Sequence, residues 1–407
     1  MAMGLLACAS FAQGLSLEEC RRMAHDNYPA IRQYGVIEQS RDFTLANAAK
    51  GWLPKVSVSA GAYGLTDIFK GSALTQQMGL DIKNFMAAAA VSVSQPLYDG
   101  GQIAAQKRVA SAQAGVQASQ LDMSMYGINE RVDQLFFGVL LLDEQIAQNT
   151  LLQNDLEVSE QTVQSMMKGG IANQSDLDAI QVEVLKAKQQ ADVLATSRKA
   201  YLKMLGVFVG KDFSEEEKLE KPALTESAGR SVNRPELQYY ALQSTLLDAQ
   251  RRQLDTRLRP TLSFFGMGAA HTTMSDLLNN AMLVGGISLS WNIGALYTRK
   301  NDIKKLELQR LQNDTERETF LFNNRLQNEL EDGNVASLRK QLAQDDEIVR
   351  LRESIRSKSD RKVQLGTESI NELVRDINAV SLARAQKALH EIQLLQAIYK
   401  QKNLNNN

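Results

Sequence analysis

The segment Phe85–Tyr98 reads FMAAAAVSVSQPLY and contains no aspartate, glutamate, lysine or arginine. Within it, Val91 and Val93 alternate with serines, which is the two-residue period of a β-strand. In a chain that is 23% charged, three further segments also lack these four residue types: 56–66, 260–275 and 277–298. The pattern predicts four strands, at about 55–66, 85–98, 260–271 and 282–294.

The rest of the chain favours long helices. The six prolines stand at positions 29, 54, 96, 222, 235 and 260, so the stretches 98–221 and 261–407 contain none. Because an interior proline costs a helix about 3 kcal/mol, such stretches can hold unbroken helices. We expect long helices at about 99–168 and 297–362, each on the order of 100 Å long. Glycines end both, and shorter helices follow at about 172–206 and 367–402.

The chain can be overlaid on itself. A shift of 206 residues places Pro29 on Pro235 and Pro54 on Pro260, and a shift of 196 residues places Gly170 on Gly366. Self-similarity of this kind indicates a duplicated unit. We therefore expect a first repeat at 14–206, a linker at 207–232 and a second repeat at 233–407.

The strands have two interpretations, a soluble four-stranded sheet or strands that cross a membrane. About ten alternating residues match the length of a tilted membrane strand. Four aromatic residues stand where the predicted strands approach the helices, as interfacial aromatics do: Trp52, Tyr98, Trp291 and Tyr297. Membrane strands are favoured. Four strands cannot close a barrel, and an open edge in lipid leaves backbone groups unpaired, so such a chain must oligomerise.

Residues 1–13 are expected to be a signal-peptide remnant cleaved between Ala12 and Gln13, although a basic start is missing. A frayed helical turn is one alternative, and lipidation of Cys8 is another. Without Cys8, the single remaining thiol, Cys20, cannot form an intrachain disulfide.

Composition and motifs argue against an enzyme or a nucleic-acid-binding protein. The formal net charge of the 407 residues is −1, so the charge balance does not indicate a surface that binds a polyanion. His25, His271 and His390 stand far apart without metal-ligand spacing. There is no phosphate loop, dinucleotide fingerprint or nucleophile elbow. We expect no catalytic residue, no metal and no cofactor.

The ordered motifs resemble the TolC-type outer-membrane efflux family from about Leu17 to Leu404. The matching features are the LSLEE opening at 15–19, the Asn-x-Pro sequences at 27–29 and 233–235, GWLP at 51–54, QPLYDGG at 95–101, and Gly366 with Thr367. Each motif is weak alone, and their order and duplication make the resemblance specific.

The resemblance implies an α+β membrane protein of the Gram-negative outer membrane. Three chains would each contribute four strands to one 12-stranded barrel, continued by periplasmic helices. The linker at 207–232 and the tail after Tyr399 would form an equatorial region. The implied function is a passive exit duct of a tripartite efflux or type I secretion system. Its partners would be outer-membrane lipid, a periplasmic adaptor and an inner-membrane transporter of the RND, ABC or MFS type.

The resemblance also implies functional positions at the helical hairpin tips. Adaptor-contacting positions would be Lys168, Gly169, Gly170 and Ile171 at the first tip and Leu365, Gly366 and Thr367 at the second. The family has acidic constrictions six and nine residues after the second tip glycine. Glu372 matches the first position, whereas Arg375 occupies the second, and Asp176 is the repeat mate of Glu372. Glu372, Arg375 and Asp176 are therefore the candidate gate.

One alternative of a different class remains open, a soluble periplasmic coiled-coil scaffold or adaptor. Charge-free strands are unnecessary in such a protein, which favours the duct. The sequence specifies neither the cargo nor the pump.

Overall fold

A computed structural model describes residues 14–64, 85–224, 231–272 and 281–406. Seven α-helices and four strands lie in these ranges, together with two short 3₁₀ turns at Pro29–Ile31 and Lys50–Trp52. The helices are α1 (Leu17–Asn27), α2 (Arg32–Ala49), α3 (Gln102–Lys168), α4 (Gln174–Val209), α5 (Pro235–Thr256), α6 (Ala295–Gln364) and α7 (Ile370–Asn405). The strands are β1 (Lys55–Gly64), β2 (Phe85–Tyr98), β3 (Thr261–Thr272) and β4 (Ala281–Ser290).

The four strands form one antiparallel sheet in the order β1-β2-β3-β4. Val58 pairs with Val91, Val91 with Gly268, and Gly268 with Leu283. Paired residues point to the same side of a sheet, so this register defines two faces. The outer edges of β1 and β4 pair with no strand in the described part of the chain.

One face of the sheet, here called the apolar face, carries aliphatic and aromatic side chains and glycine. Its members include Val56, Val58, Val91, Val93, Leu262, Phe264, Leu283, Ile287 and Leu289. Within the described residues this face is left open, since Val58 is 76% exposed and Leu283 is 88% exposed.

The opposite face, here called the serine face, is mixed. It includes Ser57, Ser59, Ser92, Ser94, Ser263, Ser288 and Ser290, together with Phe265, Met267, Met282 and Val284. The Oγ atoms of Ser57 and Ser92 lie 2.7 Å apart across the β1–β2 pair. The sheet therefore has one largely apolar face, on which Gln95 pairs with Phe264, and one mixed face, on which Lys55 pairs with Ser94.

The chain divides into two compact units. One comprises Tyr34–Ser119 and Gln238–Glu316 and contains the sheet. The other comprises Met1–Gln33, Gln120–Leu237 and Arg317–Asn407. In this second unit, α3 buries a row of large side chains that includes Val132, Phe136, Phe137 and Val139. Burial of each is worth about 1.5–3 kcal/mol, which favours a stable helical core.

The helix α6 differs from α3. It buries mainly polar residues, and the large apolar side chains that it exposes include Leu296, Leu308, Leu311, Phe322, Leu326, Leu330, Ile348, Leu351 and Ile355. A helix that exposes so much apolar surface normally has a further partner.

Several boundaries differ from the sequence expectation because of local caps. α3 begins at Gln102, three residues later than expected, because Asp99 accepts hydrogen bonds from the N–H groups of Gly101 (2.8 Å) and Ile103 (2.6 Å). α4 runs to Val209, three residues into the expected linker, and ends at Gly210 in a left-handed conformation.

Differences occur in the second half as well. β4 ends at Ser290, four residues early, because the backbone turns at 291–294. The last helix is longer than expected, because α7 continues as far as Asn405. The placement of the tail after Tyr399 in an equatorial region stays a prediction. The signal-peptide and Cys8 predictions concern residues 1–13, which lie outside the described residues. The predicted end of the first strand, at 65–66, also lies outside them.

Corresponding element ends recur at a constant offset. α4 begins at Gln174 and ends at Val209, and α7 begins at Ile370 and ends at Asn405, each 196 positions later. The asparagines that open the two Asn-x-Pro sequences contact the C-terminal ends of these helices. Asn27 Nδ2 donates to the carbonyls of Val207 and Phe208, at 3.1 Å each, and the Asn233 N–H donates to the carbonyl of Asn405 at 2.8 Å.

None of the described helices contains an apolar window long enough to cross a membrane.

Candidate functional site

The first hairpin tip joins α3 to α4 through a Schellman turn. The Gly170 N–H donates to the Met167 carbonyl at 3.0 Å, and the Ile171 N–H donates to the Met166 carbonyl at 2.9 Å. Gly170 has a φ of +75°, a conformation that disfavours residues with a Cβ. The sequence Lys168–Gly169–Gly170–Ile171 therefore ends α3 by backbone geometry.

The second tip repeats this turn between α6 and α7. The Gly366 N–H donates to the Val363 carbonyl, and the Thr367 N–H donates to the Lys362 carbonyl, each at 2.9 Å. Gly366 has a φ of +72°. The Thr367 hydroxyl adds a bond to the Lys362 carbonyl at 3.0 Å.

The two tips lie side by side. A Cβ built on Gly366 would lie 4.0 Å from Cγ2 of Ile171. Below them, one apolar cluster joins all four helices: Leu156 and Val163 of α3, Ile180, Val184 and Ala187 of α4, Val363 of α6, and Ile370, Leu373, Val374 and Ile377 of α7. The tips therefore rest on a common core.

The candidate gate residues have different environments. Asp176 completes a capping box with Asn173, because its carboxylate accepts from the Asn173 N–H at 3.0 Å and its own N–H donates to Asn173 Oδ1 at 3.2 Å. The role of Asp176 in this structure is to cap α4. Glu372 is half-buried, and its N–H donates to Ser369 Oγ at 3.3 Å. Arg375 is exposed on α7, and within the described residues it forms no ion pair with Glu372.

Sequence reasoning missed Asp376, which is buried on α7. Its counterpart 196 positions earlier is Ile180, a fully buried member of the tip core. The second hairpin differs again at His390, where the first has the buried Leu194. His390 Nδ1 lies 2.6 Å from Oδ2 of Asp345 on α6. A residue-by-residue comparison of the two repeats could have found both polar positions.

The four predicted interfacial aromatics, Trp52, Tyr98, Trp291 and Tyr297, are all exposed. The register pairs Lys55 with Ser94 and Thr261 with Ser290, so these side chains mark the same end of the sheet. The Trp291 indole donates to the Leu258 carbonyl at 2.9 Å.

A buried polar network connects α1, α3 and α7 and was not predicted. Arg21 and Asp133 form its centre, and Asn403 donates to Asp133 and accepts from Arg21 at 2.9 Å. Tyr126 lies beside this network and donates to the Asn403 carbonyl at 2.7 Å. Its members lie more than 100 residues apart in sequence, and no local pattern signals the contact.

Two cavities, of about 520 and 500 Å³, flank this network and share Tyr126, Asn129 and Asn403 in their walls. His25 Nε2 bonds Asn129 Oδ1 at 3.1 Å. Across the described residues, no group of three histidine, cysteine or acidic side chains could hold a metal ion. The His271 side chain lies outside the described residues. The arrangement is that of a structural network.

No protein-family model matches the chain. No curated protein matches it in sequence. Solved structures do match. The outer-membrane channel OprN shares 12% identity with a TM-score of 0.69, over 96% of this chain and 90% of OprN. The Campylobacter jejuni CmeC outer-membrane channel shares 11% identity with a TM-score of 0.68, over 95% of this chain and 85% of CmeC.

The chain has the fold of an outer-membrane channel. A third match, the open state of the Neisseria gonorrhoeae MtrE outer-membrane channel, shares 12% identity with a TM-score of 0.66, over 96% of this chain and 88% of MtrE. The resemblance read from the motifs is thus confirmed in the outer-membrane-channel fold, which combines long helices with a small four-stranded sheet.

Proposed function

We propose that this protein is a passive exit duct in the outer membrane of a Gram-negative bacterium. The apolar face of the sheet is the observation that carries the proposal. An exposed, charge-free apolar surface across four strands is unstable in water and suits lipid. The serine face would line the lumen. The exposed aromatics at one end of the strands fit an interfacial belt.

The open edges of β1 and β4 support a homotrimer. In lipid, unpaired backbone groups at a sheet edge cost several kcal/mol each. Pairing β4 of one copy with β1 of the next would remove these edges and give 12 strands from three chains. The exposed apolar residues of α6 are consistent with contacts between copies.

The chain is proposed to be a duplication, with repeats at 14–206 and 233–407. The recurring offset of 196 between α4 and α7, and the matching Schellman turns, support this proposal. The helices would form the periplasmic part of the duct.

Energy for transport would come from partners, an inner-membrane transporter coupled through a periplasmic adaptor in a tripartite efflux or type I secretion system. The adaptor would dock at the hairpin tips, Lys168, Gly169, Gly170, Ile171, Leu365, Gly366 and Thr367. In support, these residues are all exposed, so the tips are accessible to a partner.

The gate would lie just inside the second tip, with Glu372 and Arg375 as its candidates. Asp176 is the weaker candidate, because the Asn173 capping box engages its carboxylate. Three-fold symmetry would bring the copies of each residue around one axis.

Membrane fractionation tests the proposal. We expect a heat-modifiable trimer in the outer membrane and ion conductance after reconstitution in planar bilayers. Full solubility without detergent would contradict the duct and favour the scaffold alternative.

Conductance of Glu372→Ala trimers tests the gate. The control is Glu157→Ala, because Glu157 is an exposed residue of α3. Unchanged conductance and cation selectivity in Glu372→Ala would remove Glu372 from the gate.

A further inference from the structure

One row of paired residues on the serine face joins a cation to an aromatic ring. Lys55 pairs with Ser94, Ser94 with Phe265, and Phe265 with Gly286. Paired residues share a face and neighbouring strands lie about 4.8 Å apart, so Lys55 and Phe265 project from the same side about 10 Å apart. We call these four residues the Lys55 row.

Phe265 presents its ring as an open apolar surface. A Cβ built on Gly286 would lie 3.3 Å from Cε1 and 3.4 Å from Cζ of Phe265, so the ring lies against the glycine, where a larger residue would displace it. The Phe265 side chain is 36% exposed. Met267, two residues further along β3, lies on the same face, as does its partner Val284. The row therefore adjoins a patch of aromatic and aliphatic side chains that water reaches.

Lys55 supplies the charge of this face. It is the only lysine, arginine, aspartate or glutamate in the four described strands. Its side chain is exposed and forms no ion pair within the described residues. Asp99, the first carboxylate after β2, lies about 16 Å further along the chain than Ser94 and accepts from the N–H groups of Gly101 and Ile103. The strands therefore present a single positive charge on the serine face.

We propose that the Lys55 row is a contact site for amphipathic organic anions, compounds that join an apolar body to one carboxylate or sulfonate group. The apolar body would lie on Phe265 and Met267, and the anionic group would reach the Lys55 ammonium across Ser94. This inference rests on the proposed duct, in which the serine face lines the lumen, and it assigns that duct a class of cargo.

Complementary charge selects this occupant. Lipid acyl chains suit the opposite face, which is largely apolar, whereas Lys55 and the serines beside it favour contact with water on this one. Removing apolar surface from water on Phe265 is favourable for any apolar body. Lys55 attracts only an anionic body and repels a cationic one. The row therefore discriminates among amphipathic compounds by the sign of their charge.

The test uses three probes on single trimers of the full-length chain in planar bilayers. Naphthalene sulfonate combines the apolar body with the anionic group, naphthyl trimethylammonium has the same body with a positive charge, and methanesulfonate has the anionic group alone. Partial block of the ionic current is measured against probe concentration. We expect the half-blocking concentration of naphthalene sulfonate to be at least about threefold lower than that of either other probe, and this ratio to shrink as salt screens the charge.

Two substitutions separate the contributions of the ring and the cation. Phe265→Ala should weaken the block by naphthalene sulfonate, and Lys55→Ser should remove its advantage over the naphthyl cation, whereas Lys55→Arg should keep that advantage. Phe264→Ala is the matched control for the ring, because Phe264 is the next residue and lies on the apolar face. Lys50→Ser, outside the strands, controls for the loss of one positive charge. Heat-modifiable trimers with normal conductance in probe-free salt show that a variant has assembled.

Several outcomes would overturn the inference: no block by any probe, equal block by the two naphthyl ions, an unchanged preference in Lys55→Ser, or the same loss of block in Phe264→Ala as in Phe265→Ala. In each of these cases, trimers that conduct leave the duct intact. Trimers that neither insert nor conduct would reject the duct itself, and the contact site with it.

Discussion

Arg21 donates two parallel hydrogen bonds to Asp133, 2.7 Å from Nε to Oδ1 and 2.6 Å from Nη2 to Oδ2. Asp133 is only 5% exposed, so its carboxylate depends on this partner. Burial lowers the pKa of Arg21, but the bonds and charge of Asp133 outweigh it and raise the pKa overall. The pair therefore ties the short helix α1 to the middle of α3 as a permanent ion pair.

Removing Arg21 should destabilise the protein strongly. Arg21→Met leaves a buried, unpaired carboxylate, which costs about 3–5 kcal/mol. Urea unfolding of the purified protein, followed by circular dichroism, measures the change in the free energy of unfolding. Arg41→Met is the control, because Arg41 pairs with the exposed Glu38 and Asp42. Equal effects of the two substitutions would show that the buried pair has no special role.

The tip glycines should resist substitution. Gly170→Ala and Gly366→Ala each place a Cβ in a left-handed conformation, which costs about 1–2 kcal/mol. Gly127→Ala, in the interior of α3, should be neutral or stabilising by about 0.5–1 kcal/mol, because an added Cβ there meets nothing within 4 Å. Thermal unfolding compares the three variants. A tip variant as stable as Gly127→Ala would contradict the turn geometry.

The two faces of the sheet should tolerate charge differently. Leu283→Lys places a charge on the apolar face, where a lysine near the middle of the bilayer costs about 2–4 kcal/mol. Ser59→Lys, on the serine face, should be tolerated if that face lines an aqueous lumen. The yield of heat-modifiable trimer in outer-membrane fractions measures both. Trimer loss in Ser59→Lys with normal assembly of Leu283→Lys would reverse the assignment of the faces.

Stability should fall in acid partly through Glu183. The hydrogen bond from Lys186 lowers its pKa from 4.5, against the opposing effect of burial, and Asn378 of α7 assists with a bond of 3.0 Å. Since the folded pKa is the lower one, this stabilisation is present above pH 4.5 and is lost as the pH falls through the lowered value.

Unfolding at a series of pH values from neutral to strongly acidic tests this prediction. Glu183→Gln should lose less stability than the wild type over the acid range, whereas Glu157→Gln on the exposed side of α3 serves as control. Identical pH profiles for wild type and Glu183→Gln would rule out this contribution.

Cys20 should be chemically inert in the folded protein. It is fully buried, and burial raises its pKa to about 12, with Glu19 adding to the shift and Lys211 opposing it. The thiolate is the reactive form, so iodoacetamide at pH 8 should label it at less than about a hundredth of the rate of a free cysteine. Mass spectrometry before and after unfolding measures this rate, and Cys20→Ser identifies any label on another site. Rapid labelling of the folded protein would contradict the burial.

Local sequence signals determined the existence and type of most elements. The charge-free alternation in Phe85–Tyr98 coincides with β2, and proline-free stretches coincide with the long helices α3 and α6. Errors of a few residues arose where a cap acts on neighbouring backbone groups. Asp99 delays the start of α3, and Gly210, rather than an earlier residue, ends α4.

The sequence by itself therefore determined what each segment could become, because strand alternation, proline placement and glycine turns act over a few residues. The tertiary structure alone decided which residues meet. Arg21 and Asp133 are 112 positions apart, and the apolar face depends on a register that joins Val58, Val91, Gly268 and Leu283. It also decided that Asp176 caps α4. Such pairings depend on how distant elements pack, and the local pattern around each residue does not contain that information.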